Sequence, residues 1–207
     1  SIWKNWRHYF LSACAHNTLY VDDLTMGEVP GVKRVRGVRL FLHRFEENDQ
    51  YAVIDVSHNG YVFTDDPVYH RRKAIRLEKD VYVLDDRITG LGLQKHDFRL
   101  FFNFAPGQLT GEKLNWLYKT PKGRKYGFTA LTDTAMEAVK LEGSEEPIGG
   151  WVSYGYSLRV PAPQLQLTCE GPAPFRCVTV IAPEGYQVTG EVSEEKAVIR
   201  FAGEKNM

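Results

Sequence analysis

The stretch "VYHRRKAIRLEKDVYVLDDRI", Val68 to Ile88, contains two runs of alternating character on either side of a short polar break. Both runs, residues 68–77 and 81–88, are rich in β-branched and aromatic residues, which is typical of strands. The residues "EKD" between them supply the turn chemistry that a hairpin needs. The stretch therefore predicts two antiparallel strands.

The same pattern extends in both directions from this hairpin. Upstream lie "VRLFLHRF" (38–45) and "YAVIDVSH" (51–58), and downstream lie further short runs such as "HDFRLFFNF" (96–104). Turn residues recur between the runs, and no long window combines helical spacing of apolar residues with a cap and a stop. We therefore expect an all-β fold, an antiparallel β-sandwich of many short strands with little or no helix. The residues of "TAMEAVKLE" (134–142) favour helix, but the short length of this run and its neighbours favour a strand.

The composition limits the classes of protein to which the chain can belong. Its 207 residues fall in the range that sandwiches occupy as one unit, so we expect residues 1–207 to form a single β-sandwich domain. Basic and acidic residues number 26 each, which gives no overall argument for nucleic acid or a membrane surface as a partner. No apolar run is long enough to span a bilayer, so we expect no membrane span.

Cysteine and histidine spacing reveals no complete metal site or familiar catalytic motif. Cys169 and Cys177 flank a Gly/Pro turn and could face each other across a hairpin and form a disulfide in an oxidising compartment; the alternative is two thiols in a core. None of the six histidines pairs with another at ligand spacing. A single histidine could still complete a zinc site whose other ligands lie elsewhere.

Two clusters of basic residues are candidate binding sites for an anionic polymer. They occur in "GVKRVRGVRLFLHR" (31–44) and "HRRKAIR" (70–76). Alternate residues of a strand share a face, so Arg34 would point with Arg36, and His70 with Arg72. Guanidinium groups can bind carboxylates or sulfates through two hydrogen bonds. The alternative is a solvated face neutralised by nearby aspartates, namely Asp65, Asp66, Asp85 and Asp86.

The run "HNGY", His58 to Tyr61, predicts a turn with Asn-Gly at its centre. A loop that carries both a histidine and a tyrosine can serve proton transfer, so His58 and Tyr61 are candidate catalytic residues. The alternative is an ordinary hairpin turn with polar rings beside it. Aromatic residues make up 13% of the chain; we expect most of them between the sheets, with a few available to stack on sugar rings.

Several of these segments occur in a characteristic order. They are "NWRHYFLSACAHNTLYVDD" (5–23), "SHNGY" (57–61), the segment 68–90, "KHDFRLFFNFAP" (95–106) and "PAPFRCVTVIAP" (172–183). This order resembles the C-terminal β-sandwich half of the heparinase II/III-like family of polysaccharide lyases. The resemblance is strong over the first half of the chain and loose over the remainder, and the run from "WRHYF" to "AHNT" is its most specific element.

The resemblance implies a sandwich that follows an N-terminal α/α toroid, with an acidic polysaccharide in the cleft between the two domains. The toroid would hold the main catalytic tyrosine, so we do not expect the isolated chain to be a competent lyase. His16 would be one ligand of a structural zinc whose remaining ligands lie upstream of this chain. His70, Arg72, Arg34 and Arg36 would then contact the substrate, with the catalytic candidates His58 and Tyr61 at the edge of the cleft.

The implied function is β-elimination in uronic-acid-containing glycans of the heparin, heparan sulfate or alginate type. Polymers of this kind are met outside the cytoplasm, so the expected location is periplasmic or extracellular. The alternative function is a non-catalytic carbohydrate-binding or structural β-sandwich module.

Overall fold

Eighteen strands and one α-helix make up the part of the chain that this computed structural model describes, residues 2–27, 37–77 and 80–203. In chain order the elements are α1 Ile2–Leu11, a 3-10 turn Ala13–Ala15, β1 Leu19–Val21, β2 Leu40–Glu47, β3 Tyr51–Tyr61, β4 Val68–Leu77, β5 Val81–Gly90, β6 His96–Asn103, β7 Gln108–Glu112, β8 Asn115–Lys119, β9 Lys125–Leu131, β10 Glu137–Leu141, β11 Ser144–Glu145, β12 Ile148–Gly149, β13 Trp151–Gly155, β14 Leu158–Pro161, β15 Gln164–Gly171, β16 Phe175–Pro183, β17 Tyr186–Val192 and β18 Ala197–Gly203.

The predicted hairpin of β4 and β5 lies inside an eight-stranded antiparallel sheet with the order β2-β3-β4-β5-β16-β9-β8-β7. Leu77 pairs with Val81 across its turn, and this register places Arg72 opposite Asp86. The strand prediction for residues 134–142 is also confirmed, since β10 occupies the centre of that run.

A four-stranded antiparallel sheet, ordered β1-β6-β15-β10, covers the middle of one face of the large sheet, which we call the inner face. Leu100 and Leu167 from the small sheet share a core with Phe128 and Cys177 from the large sheet, and all four are essentially fully buried. The all-β antiparallel sandwich is therefore confirmed. Within the described ranges, no helix has the length and hydropathy needed to cross a bilayer. The single-domain assignment of residues 1–207 stays a prediction.

The hairpin of β17 and β18 covers part of the opposite, outer face of the large sheet. Val178 and Val180 of β16 pack under this hairpin, whereas Phe175 and Cys177 belong to the inner core. Because β16 is covered on both faces, its sequence "FRCVTVIAP" is apolar along most of its length instead of alternating.

Of the two alternatives for Cys169 and Cys177, the pair across a hairpin is wrong, and two thiols in a core is what the structure shows. Cys169 lies on β15 of the small sheet and Cys177 on β16 of the large sheet, so the intervening turn carries the chain from one sheet to the other. Cys14, Cys169 and Cys177 are free thiols. Burial raises the pKa of Cys169 to about 12, as it does for a thiol inside an apolar core.

Helix α1 is the element that the sequence pattern did not reveal. Trp6 and Tyr9, three residues apart, are buried side chains of this helix. Trp6 packs edge-on against Trp151, with ring centroids 5.3 Å apart, and the Tyr9 hydroxyl accepts a hydrogen bond from Gln164 Nε2 at 3.2 Å. A helix of ten residues is marginal on its own, so these tertiary contacts stabilise it.

Candidate functional site

The "HNGY" run lies within strand β3 and not in a hairpin turn, which corrects the sequence-based expectation. The register passes from His58 opposite His70 to Tyr61 opposite Val68, so β3 carries one residue more than β4 at this point. The extra residue forms a β-bulge, which locally disrupts the pairing of the strands. Gly60 occupies the bulge because a Cβ there would lie 2.2 Å from Cγ of Met26.

A chain of hydrogen bonds runs from this bulge into the core. Gly60 N–H donates to His58 Nδ1 at 3.1 Å, so this nitrogen carries the lone pair and the neutral ring holds its proton on Nε2. His58 Nε2 donates to His70 Nδ1 at 3.1 Å, and His70 Nε2 donates to Asp86 Oδ1 at 2.6 Å. Both nitrogens of each imidazole are therefore engaged, which fixes the tautomers of His58 and His70.

Asp86 also pairs with Arg72 from the neighbouring strand. Arg72 Nε donates to Asp86 Oδ1 at 2.7 Å, and Nη2 donates to Oδ2 at 2.9 Å. Burial alone would raise the pKa of Asp86, but the charge of Arg72 and the hydrogen bond from His70 outweigh it and lower that pKa to about 2. His70 and Arg72 thus share a face, as the alternation of β4 predicts.

Arg72 connects this buried carboxylate to the loop of residues 16–18, which we call the His16 loop. Its Nη1 donates to the carbonyl oxygen of Asn17. The side chain of Asn17 accepts a hydrogen bond from the backbone N–H of Asn103 at 2.6 Å, and the carbonyl of Thr18 accepts one from Phe101 at 3.0 Å. Two sheets therefore hold the backbone of the His16 loop in place.

His16 is exposed on this loop. Its backbone N–H donates to the carbonyl of Ala13 at 3.0 Å, and its ring makes no hydrogen bond or ion pair with any described residue. The loop thus presents an imidazole with free nitrogens on a fixed backbone. This geometry suits a metal ligand, although no group of three or more potential ligands occurs within the described ranges.

Tyr61 lies deeper than a reactive group usually does. It is 2% exposed, and its hydroxyl donates to the carbonyl of Leu19 at 2.7 Å. Burial raises its pKa well above the ordinary value. The ring centroid lies 5.6 Å from that of His58, so the structure brings the two catalytic candidates together. Their catalytic roles stay predictions, and the hydrogen bonds of Tyr61 favour a structural one.

Burial lowers the pKa of His58 to about 4, and the nearby charge of Arg72 acts in the same direction. The ring is thus neutral at physiological pH. A general base needs an accessible lone pair, but the lone pair of His58 accepts the Gly60 N–H.

The predicted substrate-binding residues differ in what they can offer to a ligand. His70 is 3% exposed, and the side chain of Arg72 is 18% exposed. Arg34 and Arg36 lie outside the described residues. Binding by these four residues stays a prediction.

The aspartates proposed as neutralising partners of the basic residues differ in their contacts. Asp85 accepts hydrogen bonds from Arg87 and Arg176, and Asp66 lies 3.5 Å from His96 Nε2. Asp86 is the one that organises the candidate site. The sequence could have shown this, because a three-residue turn in the 68–88 hairpin sets Asp86 opposite Arg72.

Comparison with known proteins identifies the family. The sequence profile of the heparinase II/III-like C-terminal family matches residues 2–201. The chain belongs to this family. The resemblance seen in the sequence is thereby confirmed for this heparinase II/III-like domain. A search of curated proteins found no match.

Solved structures show the same fold as this heparinase II/III-like domain. A heparinase III gene product superposes with a TM-score of 0.73 at 13% identity, covering 97% of this chain and 32% of that chain. Heparan sulfate lyase HepC from Pedobacter heparinus gives 0.73 at 12% identity, with coverage of 97% and 32%. A second heparinase III gives 0.71 at 17% identity, with coverage of 97% and 31%. The domain therefore spans less than a third of the length of these chains.

Proposed function

We propose that this heparinase II/III-like domain forms one wall of the substrate cleft of a polysaccharide lyase. The enzyme cleaves uronic-acid-containing glycans, of the heparin, heparan sulfate or alginate type, by β-elimination. An N-terminal α/α toroid in the same polypeptide forms the other wall. Family membership and the longer chains of the structural neighbours, one of them a heparan sulfate lyase, support this proposal.

The observation that carries the proposal is the support of the His16 loop. Asp86 is fully buried and accepts two hydrogen bonds from Arg72. Arg72 in turn donates to the carbonyl of Asn17, beside His16. Burying an ion pair costs desolvation free energy, which is hard to explain as stabilisation alone. Holding the exposed His16 imidazole in place for a ligand outside this chain is a function that accounts for the buried pair.

We assign to His16 one coordination position of a zinc ion. Its ring nitrogens have no competing partner among the described residues, which is what a neutral imidazole ligand requires. The remaining ligands lie outside this chain. When bound, zinc would join the His16 loop to the partner domain and add positive charge beside an anionic substrate.

The residues of this domain bind and position the glycan in our proposal. Elimination requires a neutralised uronate carboxylate, a base for the C5 proton and an acid for the leaving oxygen. The exposed part of Arg72 can donate to the carboxylate, with His70, Arg34 and Arg36 as further candidates. We assign the base and the acid to the toroid, because His58 and Tyr61 could take these roles only after their buried hydrogen bonds open.

The experiment is a cleavage assay on the polypeptide that contains this domain together with its N-terminal toroid. Heparin, heparan sulfate and alginate are tested separately, and the unsaturated uronate that elimination forms is followed by its ultraviolet absorbance. We expect absorbance to rise with at least one polymer and not with the 207-residue chain alone. Binding without cleavage would favour the carbohydrate-binding module. The absence of both binding and cleavage would favour a structural module. Since the substrates are extracellular polymers, we also propose a periplasmic or extracellular location.

A further inference from the structure

A concave surface separate from the candidate site lies at the end of the sandwich, where β6 stops and the eight-stranded sheet continues. The cavity has a volume of about 490 Å³. Aromatic and charged side chains line it, principally Tyr82, Tyr118, Tyr126, Phe104, Arg124 and Asp80. We call it the tyrosine pocket. Cavities of this size with apolar walls and a few polar groups are typical of small-ligand sites.

The floor of the tyrosine pocket is formed by three adjacent strands. Ile181 on the middle strand pairs with Tyr82 on one side and with Phe128 on the other. Tyr82 and Phe128 are two strand spacings apart, which places their Cα atoms about 10 Å from each other. Phe104 closes the pocket from the side of the small sheet, with its ring 5.0 Å from that of Tyr118. Ile181 lies between Tyr82 and Phe128, and all three side chains line the floor of the pocket.

Three polar groups of this pocket are available to a ligand, whereas the Tyr118 hydroxyl donates to the carbonyl of Ala105 at 3.0 Å. Tyr82 is 39% exposed, and the hydroxyls of Tyr82 and Tyr126 make no hydrogen bond with a described residue. The guanidinium of Arg124, in the turn between β8 and β9, is exposed and has no ion pair or hydrogen bond within the described ranges. Arg72, by contrast, is held by Asp86. Arg124 therefore places a cation beside aromatic rings, in a pocket that the carboxylate of Asp80 also lines.

We propose that the tyrosine pocket binds one anionic pyranose residue, with the sugar packed between Tyr82 and Tyr126 and its carboxylate or sulfate bound by Arg124. The apolar face of a pyranose packs against aromatic rings, and guanidinium pairs with carboxylate or sulfate through two hydrogen bonds. The choice of a uronate or sulfated sugar rests on the proposed function. Tyr82 lies on the same strand and face as Asp86, about 13 Å away.

The test is calorimetric titration of the 207-residue chain with a glucuronate-containing disaccharide and with the same disaccharide after reduction of its carboxylate to an alcohol. We expect the wild-type chain to prefer the anionic form. Arg124→Gln should weaken binding of the anionic disaccharide by about tenfold and abolish that preference. Tyr82→Leu, which keeps an apolar side chain but removes the ring, should weaken binding of both disaccharides.

Exposed residues of the same types elsewhere provide matched controls, namely Arg200→Gln and Tyr156→Leu. Unfolding temperatures of all variants show whether each is folded. No binding to the wild-type chain, or equal effects of pocket and control variants, overturns the proposal. If the pocket binds the disaccharide but the cleavage assay fails, only the proposed lyase function is contradicted. If cleavage occurs without binding in the pocket, only the proposal for the tyrosine pocket is contradicted.

Discussion

Arg72 and Asp86, paired across β4 and β5, form two hydrogen bonds of 2.7 and 2.9 Å around a carboxylate that is fully buried. The same carboxylate accepts the Nε2 proton of His70. All of these contacts come from one hairpin, so its register determines the candidate site. The pair also links the core of the sandwich to the exposed His16 loop through the carbonyl of Asn17.

Replacing Asp86 by Asn should strongly destabilise the fold, because it leaves the Arg72 charge without an anionic partner and replaces one of the two acceptor oxygens by an NH2 donor. Loss of one member of a buried ion pair costs about 3–5 kcal/mol of unfolding free energy. Urea unfolding followed by circular dichroism measures the difference. Asp49→Asn, at an exposed turn position, is the matched control and should change stability by less than about 0.5 kcal/mol. Equal stability of the two variants would show that the buried pair contributes little.

The folded state should lose stability in mild acid because of His58. Its pKa is lowered from 6.5 to about 4, so folding favours the neutral ring. The contribution of the neutral His58 ring to the unfolding free energy is fully present above pH 6.5, and it is lost as the pH falls from 6.5 towards 4. Between pH 7 and pH 5 this group should account for about 2 kcal/mol of lost unfolding free energy.

Urea unfolding of the wild-type chain and of His58→Gln at both pH values checks this prediction. The variant has no titrating ring at this position, so its stability should fall less between the two pH values. A variant at exposed His8 should retain the wild-type pH dependence. An identical loss in wild type and His58→Gln would show that His58 is protonated at no cost to the fold.

Tyr61→Phe separates a structural role from a catalytic one. The substitution removes the hydrogen bond to the carbonyl of Leu19 and should lower the unfolding free energy by about 1 kcal/mol. Because the hydroxyl is buried, we expect the cleavage rate of the toroid-containing protein to stay within about threefold of the wild type, a margin of less than 1 kcal/mol. A much larger loss of rate in a folded variant would instead make Tyr61 a catalytic residue.

The sequence predicted those features that depend on local alternation. Val68–Leu77 forms a strand as its pattern indicates, and His70 and Arg72 share a face because side chains alternate along it. Other features depend on contacts between distant residues. Gly60 reads locally as a turn residue, yet it forms a bulge because Met26 packs against it, and α1 is stabilised by Trp151 and Gln164, far along the chain.

The candidate site was only partly predictable for the same reason. His16 stood out through its family resemblance, whereas its support depends on the meeting of Asn17, Arg72 and Asn103. These three residues lie on separate elements, and no periodicity in the sequence connects them. The separation of Cys169 and Cys177 into two sheets likewise depends on how the sheets pair and not on the spacing of the two residues.

The most direct test of the central claim is the zinc content of the toroid-containing protein after exhaustive dialysis, measured by atomic absorption for wild type, His16→Ala and His8→Ala. We predict bound zinc in the wild type and in His8→Ala, and loss of most of it in His16→Ala while the protein stays folded. Equal zinc in all three proteins, or none in the wild type, would contradict the role of His16 as a ligand that joins this domain to its partner.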